Sequence, residues 1–526
     1  MKPKPAVAPS RAEPTLAPSL RRFLYLTSAV TGGAIMIVEI LGAKMLSPYV
    51  GTSHFVWTAQ IAVTLVSLAV GYYVGGRLVD RTARPGRIYA ALLAASGYLC
   101  LTVAVREPVA MECLRFSLPV GSLAASAFLF FVPLSLLAMV GPFFIRVLTQ
   151  SLAHVGGNIG RLSAISTLGS VVGTVLIGYV LIPFLPNSVT MYITAVLVAL
   201  LSVVYFLVWG RRTEDKTAAV VAALVAAAVG LGAVRADRFE SKEFEELFRG
   251  NSDFGELQVL QAKNGSRRLY LNDYLTQNTY DTTEKKSASM FTYMLQGLAI
   301  VYVPKIERVL CIGMGIGIVP MEFSRDGAAV DVVEINPAVL PVAERFFGFE
   351  PGKVHVVIAD GREYLRVAAT NYDAVILDAF LGDSCPSHLM TRESFAAMRR
   401  VLKPEGVLVI NTFAEYEGER SFFGASLRKT LASVFPSVRI HAAWNGNTFF
   451  VASARTNLAF LHPAPMDRVY QGSKGLVEDA YTRIRDTNPD AGIVLTDDFN
   501  PVEFYDAPNR ERTRRSLVEE LRRISR

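Results

Sequence analysis

Seven stretches of the chain, at 23–43, 55–76, 88–105, 121–145, 162–182, 190–209 and 217–234, are apolar over a length that suits a membrane-spanning helix. In a bilayer such a stretch can satisfy its backbone only as a helix, so residues 21–236 are expected to form an α-helical transmembrane bundle of six or seven spans. The hydrophobic content of 51% agrees, being high for an ordinary soluble enzyme. The seventh run is mostly alanine and valine; it fits a crossing, an interfacial helix or an internal helix. In the fifth run, Gly169 and Gly173, with Ser166, Ser170 and Thr174 at the same spacing, make a small-residue stripe that allows close helix contact. Glu39 and Lys44 lie in or at the end of the first run, where a carboxylate needs a partner or a wet cavity. Residues 1–20 carry five prolines among small and basic residues and are expected to be a disordered tail.

Beyond residue 237 the composition becomes that of a soluble domain. Residues 237–305 predict a β-hairpin layer, with strands at 255–262 and 268–274 around Asn264-Gly265, and then a linking helix at 287–301. From 306 to 526 the pattern alternates strand and helix, as in an α/β Rossmann-like domain. The sharpest signal is RVLCIGMGIGIVPMEFSRDGAAVDVVE, from Arg308 to Glu334. An apolar strand runs into Gly313, Gly315 and Gly317, which let the backbone turn sharply and bring free helix N–H groups close to a ligand. A second strand ends on Glu334, placed to accept both ribose hydroxyls of a nucleoside. Further strands are expected at 354–360, 374–378 and 407–411, with helices near 338–346, 391–402 and 420–434. Asn445-Gly446 joins 438–443 to 448–452 as a hairpin, which adds an antiparallel strand to a parallel sheet. The four cysteines show neither metal-ligand spacing nor a disulfide framework, so no metal is expected.

This order of elements, with VEINP at 333–337, DGREYL at 360–365 and YDAVILDAF at 372–380, resembles the spermidine synthase family. EILGAKMLSPYVGTSHFVW at 39–57 and LTDDFNPVE at 495–503 resemble its fused membrane form, in which a multi-span bundle precedes the synthase domain. The resemblance implies a Rossmann fold of the S-adenosylmethionine-dependent methyltransferase type. It implies that Gln277, Asp360 and Gly361 join Glu334 and the glycines in binding the nucleoside, and that Asp378 takes the proton from an attacking amine. Three departures stand against the family pattern. Ile316 replaces the aspartate that holds the aminopropyl ammonium. Asp383 stands five residues after Asp378 rather than three, and is the second candidate acid. The tyrosine, histidine and glutamate stretch of the amine site becomes SASMFTYML at 287–295, with Tyr293 its one plausible remnant and a core tyrosine the alternative.

The expected activity is aminopropyl transfer from decarboxylated S-adenosylmethionine to a polyamine such as putrescine. The alternatives are a methyltransferase using S-adenosylmethionine itself and a non-catalytic nucleoside-sensing or transport module. Expected partners are the lipid bilayer and a small amine, with a homo-oligomer left open. Nucleic acid is not expected, because the net charge of +7 sits largely at the termini and in short loops between apolar runs. Lys and Arg cluster before the first run, after the second and after the sixth, which places the amino terminus in the cytoplasm of a multi-pass inner-membrane protein. Seven crossings would leave the C-terminal domain outside. Because S-adenosyl compounds are made in the cytosol, the expectation is that 217–234 does not fully cross and that this domain is cytoplasmic.

Overall fold

The computed structural model describes residues 16–51, 54–149, 155–210, 241–368, 371–380, 386–418, 420–443, 446–487 and 491–524, with isolated positions between 220 and 232. Asp383, Cys385, most of the run 217–234 and most of the N-terminal tail lie outside the described residues. The chain divides into two compact units. One takes in Met1–Met45, Trp57–Val109 and Leu123–Arg238, the other Leu46–Val56, Ala110–Ser122 and Phe239–Arg526.

The first unit is helical. Its elements are α1 (Pro18–Val50), α2 (His54–Arg81), α3 (Gly86–Cys113), α4 (Leu118–Ala138), α5 (Val140–Leu148), α6 (Val155–Leu176), α7 (Ile182–Phe184) and α8 (Asn187–Trp209), with a π turn at Ile177–Leu181 before α7. Among the described residues, six helical stretches are long and apolar enough to cross a membrane: α1, α2, α3, α4 with α5, α6 through α7, and α8. The small-residue stripe sits where α1 meets α6. A Cβ on Gly169 would strike the backbone of Ala29, one on Gly33 would come within 2.9 Å of the Gly169 carbonyl, and Ser170 Oγ donates to the Gly32 carbonyl at 3.1 Å. Gly169→Val is therefore expected to destabilise the bundle by about 1–3 kcal/mol, the usual cost of overpacking. It should lower the thermal unfolding midpoint of the detergent-solubilised protein, whereas a substitution at Gly76, with no atom near its added Cβ, should not.

The second unit holds two sheets. The first is a five-stranded antiparallel layer, β1 (Phe244–Ser252), β2 (Gly255–Ala262), β3 (Arg267–Asn272), β4 (Leu275–Asp281) and β5 (Lys286–Ser287), paired in sequence order. The expected hairpin is β2–β3, with Gly265 at φ 74° in its turn. The layer is larger than the sequence pattern indicated because β1 and β4 are polar. β1 carries Glu245, Glu246 and Arg249 and, among the described residues, pairs on one side only, with β2. The helix Met290–Tyr302 then leads to the second sheet, β6 (Arg308–Ile312), β7 (Ala329–Glu334), β8 (His355–Ile358), β9 (Tyr372–Leu377), β10 (Leu402–Thr412), β11 (Ser437–Ala442), β12 (Thr448–Ser453) and β13 (Ile484–Arg485).

That sheet has the order β13-β11-β12-β10-β9-β6-β7-β8. The five strands from β10 to β8 are parallel; β12 runs antiparallel between β10 and β11. This is the Rossmann-like, methyltransferase-type arrangement. Both faces are buried, as a mainly parallel sheet requires. Val309, Cys311, Ile376 and Val409 pack into one core, while Leu310, Ile312, Leu377 and Ile410 of the same strands pack into the other. The antiparallel layer joins the first core through Leu257, Val259 and Tyr270. Tyr270 and Tyr280 meet Phe347 edge-on, and Arg268 Nη1 donates to the Phe346 carbonyl at 2.6 Å.

Candidate active site

In an open parallel sheet, ligands bind beyond the carboxyl ends of the strands at the point where the strand order reverses. Here that point lies between β6, whose successors step toward β8, and β9, whose successor β10 lies on the other side. A cavity of about 950 Å³ opens there. Gly313, Gly315, Glu334, Asp360, Gly361, Asp378 and, from β4, Gln277 all line it. Gly317 does not. It lies one step further on, at the start of the helix Ile318–Arg325, and borders a neighbouring cavity.

All three glycines have left-handed φ values, of 92°, 52° and 81°. At Gly313 the requirement is steric as well as torsional. Its N–H donates to the Val333 carbonyl at 2.8 Å, and a Cβ would strike the carbonyl of Asp378. The glycine turn and the end of β9 are therefore pressed together, a closeness fixed by Asp378 N–H donating to the Ile312 carbonyl at 2.9 Å.

Glu334 is buried at the end of β7. One carboxylate oxygen accepts from Met314 N–H at 3.0 Å and the other from Asn336 N–H at 2.8 Å. It thus braces the glycine turn, and its two oxygens keep acceptor capacity for a ligand beyond these backbone donors. Burial pushes its carboxyl above the ordinary value, and the backbone donors of Asn336, Met314 and Ile335 oppose that. Asp360 caps the helix Gly361–Val367 through Arg362 and Glu363 N–H at 2.9 and 3.1 Å, and its other oxygen meets His388 Nε2 at 2.9 Å. Burial would raise its carboxyl, but those N–H groups and the imidazole outweigh it and hold the pKa low. The ordinary capping role of Asp360 is therefore present, and His388 is a partner that sequence reasoning missed.

Asp378 stands at the carboxyl end of β9. Burial pushes its carboxyl up to about 6, against the pull of a hydrogen bond from Asn411. Asn411 Nδ2 donates to Asp378 at 2.9 Å, and Asn447 Nδ2 donates to Asn411 Oδ1 at 3.2 Å. This relay from β10 and the β12 entrance fixes the carboxylate's orientation. Past Asp378 the cavity acquires aromatic and acidic walls: Phe380 and Phe413, 5.4 Å apart, then Glu415, Tyr416 and Glu417. Arg512, from the helix Ala507–Ile524, pairs with Glu415. Tyr293 is not brought to this cavity; its hydroxyl donates to the Ser287 carbonyl at 2.6 Å and it lines the neighbouring one. Ile316 is buried between the two. Among the described residues no group of histidine, cysteine and carboxylate side chains is arranged to hold a metal.

Among the described lining residues the basic side chains are His388 and Arg512, and each faces a carboxylate. Glu334, Asp360, Asp378, Glu415 and Glu417 outnumber them. Such a cavity favours a cationic ligand over an anionic one.

Comparison with known proteins agrees with this region. Residues 289–444 match the family described as Spermine/spermidine synthase domain. A polyamine aminopropyltransferase of Vibrio vulnificus is 40% identical over 148 residues, 26% of this chain and 50% of that one. Putrescine N-methyltransferase 2 of Nicotiana attenuata is 29% identical over 180 residues, 33% of this chain and 47% of that one. A spermidine synthase structure from Thermotoga maritima aligns with 22% identity and a TM-score of 0.37, covering 46% of this chain and 84% of that one. The chain spans about half the length of the first curated relatives it matches.

Proposed function

We propose that this chain, whose C-terminal part carries a spermidine synthase domain, is an aminopropyltransferase that moves the aminopropyl group of decarboxylated S-adenosylmethionine to a small polyamine such as putrescine. The observation that carries the reading is Asp378, held by Asn411 at the strand-order reversal, beside the glycine turn and in the lining of an acidic, aromatic-walled cavity. Glu334 would hold the ribose, Gly313 to Gly317 would allow close approach, and Gln277, Asp360 and Gly361 would border the nucleoside. An alkylamine is protonated near neutrality and has no lone pair to give. Asp378 takes its proton, the nitrogen forms a bond to the aminopropyl carbon, the carbon–sulfur bond breaks, and the thioether leaves neutral. Asp383 is the second candidate acid. Six helices of spanning character support a multi-pass membrane protein.

A second reading, methyl transfer from S-adenosylmethionine to an amine, is favoured by Ile316. An isoleucine there neither anchors an ammonium nor repels the carboxylate that distinguishes the two donors. Against it, the basic groups among the described lining residues, His388 and Arg512, are already engaged with acids. Calorimetric titration of the purified full-length protein with both donors tests this. The first reading expects the decarboxylated donor to bind at least tenfold more tightly, and a preference for S-adenosylmethionine overturns it.

The titration of Asp378 sets the pH dependence. Because the base must be ionised to accept a proton, kcat at saturating amine should rise as pH climbs through about 6 and level off above. Stability runs the other way. Between 3.8 and about 6 the folded carboxyl holds more proton than the unfolded one, so raising the pH through that window lowers stability. A pH series of kcat and of thermal midpoints checks both slopes; a kcat independent of pH between 5 and about 7 would contradict the assignment.

A further inference from the structure

The second compact unit is built from three stretches, and the two short ones, Leu46–Val56 and Ala110–Ser122, are the α1–α2 and α3–α4 connections. Their attachment to the rest of the unit is specific. Arg514, fully buried, donates through Nη1 to the carbonyls of Ser47 and Pro48 at 3.2 and 2.6 Å. Arg515 donates to the carbonyls of Leu114 and Phe116 at 2.7 and 3.2 Å, and Glu511 accepts from Leu118 N–H at 3.2 Å. Glu503 accepts from His54, and Tyr49 stacks on Tyr274 at 5.8 Å. Helix-end carbonyls are natural acceptors for guanidinium groups, and a buried arginine is tolerated only where its donors are so met.

If the six apolar helices cross a membrane, the α1–α2 and α3–α4 connections lie on one side, and the amino terminus, the α2–α3 connection and the end of α8 lie on the other. Residues 239–526 share a unit with the first pair and so share their side. The chain leaves α8 at Trp209 on the opposite side, which requires one more crossing before Phe244. The run 217–234 has the length and composition for it. Charge decides which side is which. Arg77, Arg81, Arg84 and Arg87 lie in and beside the α2–α3 connection and Arg211, Arg212 and Lys216 follow α8, whereas 46–56 has no lysine or arginine and 110–122 has Arg115 alone.

We infer that the domain carrying the candidate active site faces the extracytoplasmic side, so that its nucleoside and amine ligands are drawn from that compartment. This reverses the side expected from where S-adenosyl compounds are made, and it holds whether the domain transfers an aminopropyl group or only binds. The test uses the full chain with Cys100, Cys113, Cys311 and Cys385 replaced by alanine and one cysteine restored, at exposed Thr283 (T283C) or in the α2–α3 connection (A83C). Intact cells are treated with a membrane-impermeant maleimide, with permeabilised cells as the reference. Labelling of T283C in intact cells, with A83C labelled at least tenfold more after permeabilisation than before, is expected. T283C reactive only after permeabilisation overturns the inference. Should the cysteine-free background fail to accumulate, the wild-type chain with a C-terminal epitope is exposed to protease outside a sealed plasma membrane. Loss of the epitope supports the inference, and its survival overturns it. Neither readout depends on turnover, so failure of the aminopropyl reading leaves this result distinguishable.

Discussion

Asp378→Asn is expected to lower kcat by about a hundred- to ten-thousand-fold, the usual worth of a positioned general base. The amide keeps the shape of the carboxylate and can still meet Asn411, whose side chain has both a donor and an acceptor to offer after a flip. What it loses is the capacity to take a proton. Nucleoside affinity should therefore change little, because the loss falls on the transition state rather than on ground-state binding. The measurement is steady-state kinetics with a panel of amines and both S-adenosyl donors, paired with calorimetry on the same preparations. An equally active variant would remove Asp378 as the base and move attention to Asp383. A wild type that binds a nucleoside tightly but turns over nothing would favour the nucleoside-sensing or transport module, and would fit the missing anchor at Ile316.

Glu334→Ala should weaken nucleoside binding by about 1.5–3 kcal/mol, roughly ten- to 150-fold in Kd. Two losses contribute. Charge-assisted hydrogen bonds to the ribose disappear, and the Met314 N–H in the glycine turn is left without its acceptor. A 2′,3′-dideoxy analogue separates them. If Glu334 reads the ribose, wild type and variant should bind that analogue within a few-fold of each other while differing widely on the parent nucleoside. An equal penalty on both ligands would mean that Glu334 serves the loop alone.

How far these features could be read from sequence depended on how local their causes are. The β6 to β7 unit was legible because everything that shapes it lies within one continuous stretch: an apolar strand, glycines that tolerate left-handed φ, and an acid at the end of the next strand. The β11–β12 hairpin was legible from Asn445-Gly446, but not that β12 would insert between β10 and β11. β1 was missed because Glu245, Glu246 and Arg249 break the apolar alternation, which an edge strand permits. Asn411 and Asn447 were missed for a different reason. An asparagine near a strand end usually reads as turn chemistry. Its bond to Asp378 exists only because β10 lies beside β9 in the folded sheet. Hydropathy drew the boundary of the helical part at residues 21 and 236, and by itself it cannot tell that a helix's final turn is gripped by arginines more than 400 positions later.

The helix Ala507–Ile524 has two working faces, with Asn509, Arg512, Thr513 and Ser516 lining the cavity and Glu511, Arg514 and Arg515 holding the chain's early connections. That division imposes an order of assembly. Ser47 is made long before the guanidinium that will cap it, separated from Arg514 by 467 positions, so one wall of the cavity can close only after synthesis has passed Arg514. A fragment beginning at residue 239 would emerge with Arg514 facing no acceptor from Ser47 or Pro48 and with that wall unsupported. Completion of the pocket thus waits on Ser47 and Pro48 having reached their places.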